Sequence, residues 1–282
     1  MSDPRKPGPR RRSAARQKVR DLNRLALRHR RAGRHEAAVE VLLQALELTR
    51  DVLAAGDPGI AILMGNLAGT YQSLGRLRKA EVLYQRALRL LERALGPRHP
   101  EVARTQLELS DLYRRWGDPL AARALAEQSL AILRRALGND DRDLVPGLHG
   151  LARLYADSGH LAAAEPLLLE AHQILLCRHD GEEDPELALC LANLAGLYHA
   201  AEDFPTALAL YRRLLRHLRC RHGGCHPAVA EVLTALADLY RAAGRLRRAE
   251  ILNHHALKMR AAVPDVDRTV PGCGEQIEPD GV

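Results

Sequence analysis

One stretch recurs along this chain of 282 residues, and its fullest copy is Asn66-Leu67-Ala68-Gly69-Thr70-Tyr71, followed by Gly75 and Ala80. The copies share a leucine at the same position of the stretch: Leu25, Leu67, Leu109, Leu151, Leu194 and Leu236. Successive leucines lie 42 residues apart, with a single interval of 43. Self-similarity at a fixed period of this size indicates a repeat array, in which each repeat buries its apolar face against its neighbours.

Each repeat is predicted to form two helices joined by a tight turn. In the second repeat, apolar residues recur every three or four positions on both sides of Gly75: Leu63, Leu67, Tyr71 and Leu74 before it, and Ala80, Leu83, Tyr84, Ala87, Leu88 and Leu91 after it. This spacing is the helical period. Glycine ends a helix readily because it takes the left-handed backbone conformation without steric cost. The sequence therefore predicts six helical hairpins.

The junctions between repeats carry Asp-Pro or His-Pro pairs: Asp57-Pro58, His99-Pro100, Asp184-Pro185 and His226-Pro227. An aspartate before proline suits a helix start, because the carboxylate accepts hydrogen bonds from free backbone amides. Proline loses nothing at the first helical position, where its missing N–H would have no partner. These pairs predict where the first helix of a hairpin begins.

Charge is unevenly distributed along the chain. Residues 1–34 carry 13 Lys and Arg against Asp3 and Asp21, whereas residues 263–282 carry five acids against Arg268. We therefore expect a disordered basic arm at 1–15 and a disordered acidic tail at 263–282. Between them we expect one array at 16–262, with hairpins at about 18–53, 60–95, 102–137, 144–180, 187–221 and 229–262.

These repeats resemble tetratricopeptide repeats of the 42-residue kind found in kinesin light chains. The family's Leu-Ala-x-x-Tyr, glycine and alanine positions are matched in most repeats, and its Leu-Gly-x-x-His-Pro linker is matched at 95–100. The sequence departs from the pattern at His29, Ser110 and Glu202. The resemblance implies an all-α fold, a right-handed superhelical solenoid of six hairpins, which acts as a protein–protein interaction scaffold.

The resemblance also implies a concave groove lined by the first helix of each hairpin, where the family binds peptide segments. The positions that match the family's groove are Asn66, Arg104, Asp111, Arg114, Arg115, Arg153, Asn193, Asp238 and Arg241. Arginine forks suit carboxylates, so the expected partner is an acidic peptide. The alternative is that the asparagines only join neighbouring helices and that the arginines form an ordinary solvated surface.

Catalytic signatures are absent from the sequence. His35-Glu36 begins like a zinc-protease helix, but Val39 stands where the second histidine is required. There is no Gly-x-Ser-x-Gly elbow and no glycine-rich phosphate loop. We expect no enzymatic activity and no cofactor.

A compact group of thiols and imidazoles raises a zinc alternative at Cys220, His222, Cys225 and His226. Four tetrahedral ligands within seven residues would need a tight ring, and His226 already precedes a helix-starting proline. We therefore favour a plain loop between hairpins. Five cysteines without a secretory signal or a membrane-length apolar run indicate free thiols in the cytoplasm.

The rival function is a nucleic-acid-associated adaptor, in which the basic N-terminal arm contacts phosphates through Arg10, Arg11, Arg12, Arg16, Lys18 and Arg20. The arm has no aromatic residue for base stacking, and the chain shows no known DNA-binding motif. We further expect a monomer. One position on the return helix of each hairpin faces the following hairpin, and in the sixth hairpin this position is Asn253. A solenoid needs a polar outer face on its final hairpin, because no neighbour covers it.

Overall fold

The computed structural model describes residues 9–53, 56–177, 185–224 and 226–261. Within these ranges the chain forms helices and turns only, so the all-α repeat fold is confirmed. The acidic tail at 263–282 and Asp184 lie outside the described residues. Twelve α-helices are described: α1 Pro9–Arg31, α2 His35–Val52, α3 Pro58–Ser73, α4 Leu77–Leu95, α5 Pro100–Trp116, α6 Pro119–Leu137, α7 Val145–Asp157, α8 Leu161–Cys177, α9 Pro185–Ala200, α10 Phe204–His222, α11 Pro227–Ala242 and α12 Leu246–Ala261.

Consecutive helices pack as hairpins in the pairs α1 and α2, α3 and α4, α5 and α6, α9 and α10, and α11 and α12, and a 3-10 turn at Arg142–Leu144 leads into α7. The chain divides into two compact parts, Met1–Leu154 and Tyr155–Val282, and the division falls inside α7. We refer to them as the N-terminal part and the C-terminal part. Each has its own buried clusters of leucine, alanine and tyrosine side chains.

The disorder expected at the start of the chain is wrong over residues 9–15, because α1 begins at Pro9. Proline is well suited to the first position of a helix. After Pro9 the segment contains only arginine, serine and alanine up to Arg16, and arginine and alanine are among the best helix formers. The basic composition therefore belongs to a helix rather than to a flexible arm. Residues 1–8 lie outside the described ranges.

Most turns inside the hairpins use glycine in the left-handed region, as at Gly75 with φ 71°. The fifth hairpin lacks that glycine, and Glu202 takes its place with φ 60°, the single non-glycine residue with positive φ among those described. The turn therefore forms without the expected glycine. An L-residue pays a steric cost in this conformation, so the backbone is strained at Glu202.

Side chains cap the helices that begin at the junction prolines, as the Asp-Pro and His-Pro pairs predict. The Asp57 carboxylate accepts a hydrogen bond of 2.8 Å from the Gly59 amide. His99 and His226 do the same through Nδ1, at 3.1 Å from the Glu101 amide and 3.2 Å from the Ala228 amide. Each bond satisfies one backbone donor that the helix cannot pair internally.

The second helix of each repeat carries a buried alanine at the same position of the repeat. These alanines are at most 2% exposed: Ala38, Ala80, Ala122, Ala164, Ala207 and Ala249. Between hairpins, a tyrosine of one first helix bonds a glutamate of the preceding return helix. The Tyr113 hydroxyl donates to Glu81 at 2.9 Å, and the Tyr198 hydroxyl donates to Glu165 at 2.6 Å. These bonds fix the stacking of the hairpins that they join.

Candidate functional site

A cluster of charged side chains surrounds Asp111, which projects from α5. One carboxylate oxygen of Asp111 accepts from Gln72 Nε2 at 2.8 Å and from Arg115 Nε at 2.9 Å. The other accepts from Arg114 Nη2 at 2.9 Å and from Arg153 Nη2 at 3.1 Å. Asp111 therefore ties together three hairpins through α3, α5 and α7. We name Asp111, Arg114, Arg115 and Arg153 the Asp111 cluster.

The Asp111 cluster carries three guanidinium groups against one carboxylate. Burial raises the pKa of Asp111, but the hydrogen bond from Arg114 and the charges of Arg115, Arg114 and Arg153 outweigh it, so the pKa lies below its usual range. The carboxylate thus stays ionised at neutral pH and holds the arginines in place. The Arg115 and Arg153 side chains remain 50% and 51% exposed. The guanidinium groups of Arg115 and Arg153 therefore reach solvent beside a single shared carboxylate.

A second polar group lies beside this cluster, centred on Tyr84. Its side chain is only 1% exposed, and its hydroxyl donates to Glu108 Oε2 at 2.6 Å. Burial and the neighbouring Glu108 carboxylate raise the pKa of Tyr84, so the phenol stays protonated. A Cβ added at Gly69 would lie 3.0 Å from Arg30 Nη1 and 3.1 Å from the Tyr84 hydroxyl oxygen. The glycine therefore leaves room for both groups against α3.

Sequence reasoning missed two members of these groups, Glu108 and Tyr84. Gln72 lies five residues after Leu67, at a position that matches the family's groove, and it donates to Asp111. Glu108 lies on α5 at no such position, and its partner is Tyr84. Tyr84 belongs to the return helix, and its apolar neighbours favour a purely packing role. A search for polar side chains one repeat apart would find pairs between first helices, such as Asn23 and Asn66 at a separation of 43 residues.

Asn66 makes the contact that the alternative interpretation foresaw. Its Nδ2 donates to Asn23 Oδ1 at 2.8 Å, so it joins α3 to α1. Arg104 is held by the carboxylates of Glu101 and Asp143. The hydrogen bond that Arg104 donates to Asp143 raises the pKa of Arg104, although burial opposes it. Two carboxylates surround one guanidinium here, so Arg104 adds no positive charge to the surface.

The remaining predicted residues lie in the C-terminal part. Asp238 accepts a hydrogen bond from Arg241 Nη1 at 2.5 Å, and the two charges balance. Burial, and then the Asp238 charge, raise the pKa of Tyr211. Asn193 is half-buried on α9. Of the nine predicted groove residues, Asp111, Arg114, Arg115 and Arg153 are therefore the set in which three arginines bond one carboxylate.

The zinc alternative involves the end of α10. The rings of His222 and His226 stack with their centroids 4.1 Å apart, and His226 Nδ1 is already used as a helix cap. The described residues contain no group of three or more potential metal ligands, and Cys225 lies outside them. Cys177 and Cys220 are exposed thiols, whereas burial raises the pKa of Cys190 to about 12.

No helix in the described ranges has the length and apolar character needed to cross a bilayer.

Comparison with known proteins agrees with this architecture. The sequence pattern of the tetratricopeptide repeat family matches residues 18–93, 59–135 and 186–262, which together make up more than half of the chain. Protein KINESIN LIGHT CHAIN-RELATED 3 of Arabidopsis thaliana is 31% identical over 100 residues. The match covers 36% of this chain and 15% of that relative, so the chain corresponds to a small portion of its length.

Two solved structures share the fold. BtubC (BKLC) from P. vanneervenii superposes with a TM-score of 0.65 at 24% identity, covering 95% of this chain and 98% of that one. A kinesin light chain with nearly identical TPR-like repeats, from Podosopora anserina, has a TM-score of 0.58 at 26% identity, covering 71% of this chain and 95% of that one. The chain belongs to the tetratricopeptide repeat family, with 42-residue repeats of the kinesin light chain type.

Proposed function

We propose that this protein is a non-catalytic scaffold that binds an acidic peptide segment on the first helices of its hairpins. Tetratricopeptide repeats generally act as protein–protein interaction scaffolds. The single observation that supports an acidic ligand is that the half-exposed side chains of Arg115 and Arg153 are both held by the one carboxylate of Asp111. A ligand carboxylate would bind the exposed N–H groups of these two arginines through charge-assisted hydrogen bonds.

The hydrogen bonds to Asp111 also favour tight binding because they order the arginine side chains before the ligand binds. An exposed arginine loses rotamer freedom when it binds a ligand, at a cost of about 0.5–1.5 kcal/mol per side chain. Arg115 and Arg153 are already hydrogen-bonded to Asp111, so part of this ordering precedes ligand binding. Asp111 thus acts as a positioning residue for the arginines, and the ligand contacts their exposed N–H groups.

The proposed contact surface is narrower than the positive groove that the sequence predicts. Arg104 and Arg241 are matched by carboxylates and contribute no net positive charge. Asn66 joins α3 to α1 through Asn23, so the proposed contact surface is limited to the Asp111 cluster. We further propose that the protein works in the cytoplasm as a monomer, which fits its free thiols.

A matched pair of double variants tests the proposal. The probe is a fluorescein-labelled peptide of alternating Glu and Ala, and its counterpart contains Gln in place of Glu. Arg115→Gln with Arg153→Gln should weaken binding of the Glu peptide more than tenfold, because each charge-assisted contact contributes about 1.5–3 kcal/mol. The control is Arg86→Gln with Arg89→Gln, two exposed arginines on α4.

Fluorescence anisotropy gives the affinities, and far-UV circular dichroism checks that helicity is unchanged. The control pair should bind as the wild type does, and the Gln peptide should bind weakly to every variant. Equal affinities for the two double variants would show that the acidic ligand, if bound, contacts another surface.

A further inference from the structure

Helix α1 carries a row of exposed arginines that the peptide proposal does not use. They stand four residues apart at Arg16, Arg20, Arg24 and Arg28, and Arg31 follows at the helix end. We name the first four the arginine ladder. Successive members rise about 6 Å along the helix axis, so the ladder is about 18 Å long.

The orientation of the ladder is fixed by packing. Val19 and Ala26 on the opposite side of α1 are 7% and 1% exposed and belong to the core shared with α2. Leu22 packs against the same cluster. Because this apolar side is covered, α1 cannot insert it into a bilayer in the manner of an interfacial amphipathic helix. The ladder remains as a rigid, solvent-facing basic surface.

Little negative charge opposes the ladder. Asp21 is the single acidic residue of α1, and its carboxylate lies 3.7 Å from Arg24 Nη1 and accepts from Gln17. The Arg24 and Asp21 side chains are 67% and 55% exposed, so the pair is a weak, solvated one. Four guanidinium groups against one carboxylate leave a net excess of positive charge along the helix.

We infer that the arginine ladder of α1 binds the phosphate backbone of a nucleic acid duplex. Four residues turn an α-helix by about 400°, so each arginine is displaced about 40° around the axis from the previous one. The ladder therefore winds across about 120° of the helix surface. An extended acidic peptide or a flat bilayer would touch only part of it, whereas the two phosphate rows that border a DNA groove can contact all four arginines.

The dimensions of the duplex agree with this inference. A major groove about 12 Å wide admits an α-helix. Duplex DNA carries one phosphate charge per about 1.7 Å of its axis, so about ten phosphates lie along the length of the ladder. The inferred contacts are to phosphates, which are the same at every base pair, so binding is independent of base sequence. This interaction uses residues separate from the Asp111 cluster and does not depend on the peptide proposal.

The test is the salt dependence of DNA binding by the full-length protein. The probe is a fluorescein-labelled duplex of 30 base pairs, titrated at 50 to 200 mM KCl. Four phosphate contacts predict a slope of about −3.6 in log K against log salt, which is a loss of about a hundredfold over this range. Changing all four ladder arginines to glutamine should flatten the slope to near zero. Glutamine keeps the helix, because its helix propensity is close to that of arginine.

A matched control removes four exposed arginines from α4: Arg78, Arg86, Arg89 and Arg93, each changed to glutamine. This variant loses the same total charge and should retain a slope close to that of the wild type. Equal slopes for the two quadruple variants would overturn the inference, since binding would then follow net charge alone. A second experiment measures binding of the same proteins to phosphatidylserine vesicles. If the ladder variant lost vesicle binding but kept the salt slope of DNA binding, the inference would also be overturned. The Arg115→Gln and Arg153→Gln variant should keep the full slope.

Discussion

Mild acid should destabilise the N-terminal part through a single buried side chain, His149 on α7. Its ring is 7% exposed, and Nε2 is buried without a hydrogen-bond partner within the described ranges. The helix approaches its neighbours closely here, because a Cβ on Gly147 would lie 2.8 Å from a Leu130 methyl carbon. Burial lowers the pKa of His149 from 6.5 to about 4, since an imidazolium would lose its hydration in this position.

The sign and size of the effect follow from that shift. The unfolded state binds a proton near pH 6.5, whereas the folded state binds it only near pH 4, so stability falls as the pH drops between these values. The difference between these two pKa values corresponds to about 3 kcal/mol in total, of which about 2 kcal/mol is lost between pH 7.5 and pH 5. Asp111 adds no loss in this window, because its lowered pKa matters only below about pH 4.

Urea unfolding followed by far-UV circular dichroism at pH 7.5 and pH 5 measures the loss. His149→Phe should remove about 2 kcal/mol of the pH dependence, because phenylalanine fills the site without titrating. His254→Gln on α12 is the control, since this histidine is exposed, and it should keep the wild-type loss. A constant m-value shows that the unfolded state has not changed. The reasoning is refuted if His149→Phe loses as much stability in acid as the wild type.

Three further outcomes follow from particular residues. Tyr84→Phe should lower the free energy of unfolding by about 1.5–3 kcal/mol in urea titrations, because Glu108 loses its buried donor; a loss no greater than that of Tyr113→Phe, which removes a more exposed bond, would contradict this. Glu202→Gly should raise the free energy of unfolding by up to about 1 kcal/mol, because glycine adopts the positive φ without steric cost. A lower free energy of unfolding in this variant would show that the turn is unstrained. Light scattering at micromolar concentration should give one chain of 31.2 kDa, whereas a dimer would show that the polar Asn253 does not cap the array.

The repeat architecture could be predicted from the sequence because the same physical demands recur in every hairpin. Gly75 forms the turn, Ala80 is small enough for the close packing of helices, and Asp57 before Pro58 starts a helix. Each of these roles requires a particular type of residue, so it can be recognised in the sequence. The start of α1 could not be predicted, because a segment rich in proline, arginine and serine is also typical of disorder. Arginine is also a good helix former, and packing of Val19 against α2 supplies the tertiary stabilisation.

The candidate site could be predicted only in part. The repeat alignment places Asp111, Arg114, Arg115 and Arg153 on first helices, but it does not show which arginines have a carboxylate within reach. Arg104 reaches Asp143 from a different hairpin, and this contact depends on the 3-10 turn before α7. The backbone of Glu202 could not be predicted either, because glutamate rarely adopts the positive φ that the structure has at this position.

The central claim is that ligand carboxylates bind the exposed N–H groups of the Asp111 cluster. Arginine Nε–H resonances observed by heteronuclear NMR report this contact directly, with assignment by single Arg→Gln variants. Titration with the alternating Glu and Ala peptide should shift the Nε–H signals of Arg115 and Arg153 saturably, while that of Arg86 on α4 stays in place. The Gln peptide should shift none of the three. Saturable binding of the Glu peptide with unmoved Arg115 and Arg153 signals would contradict the account.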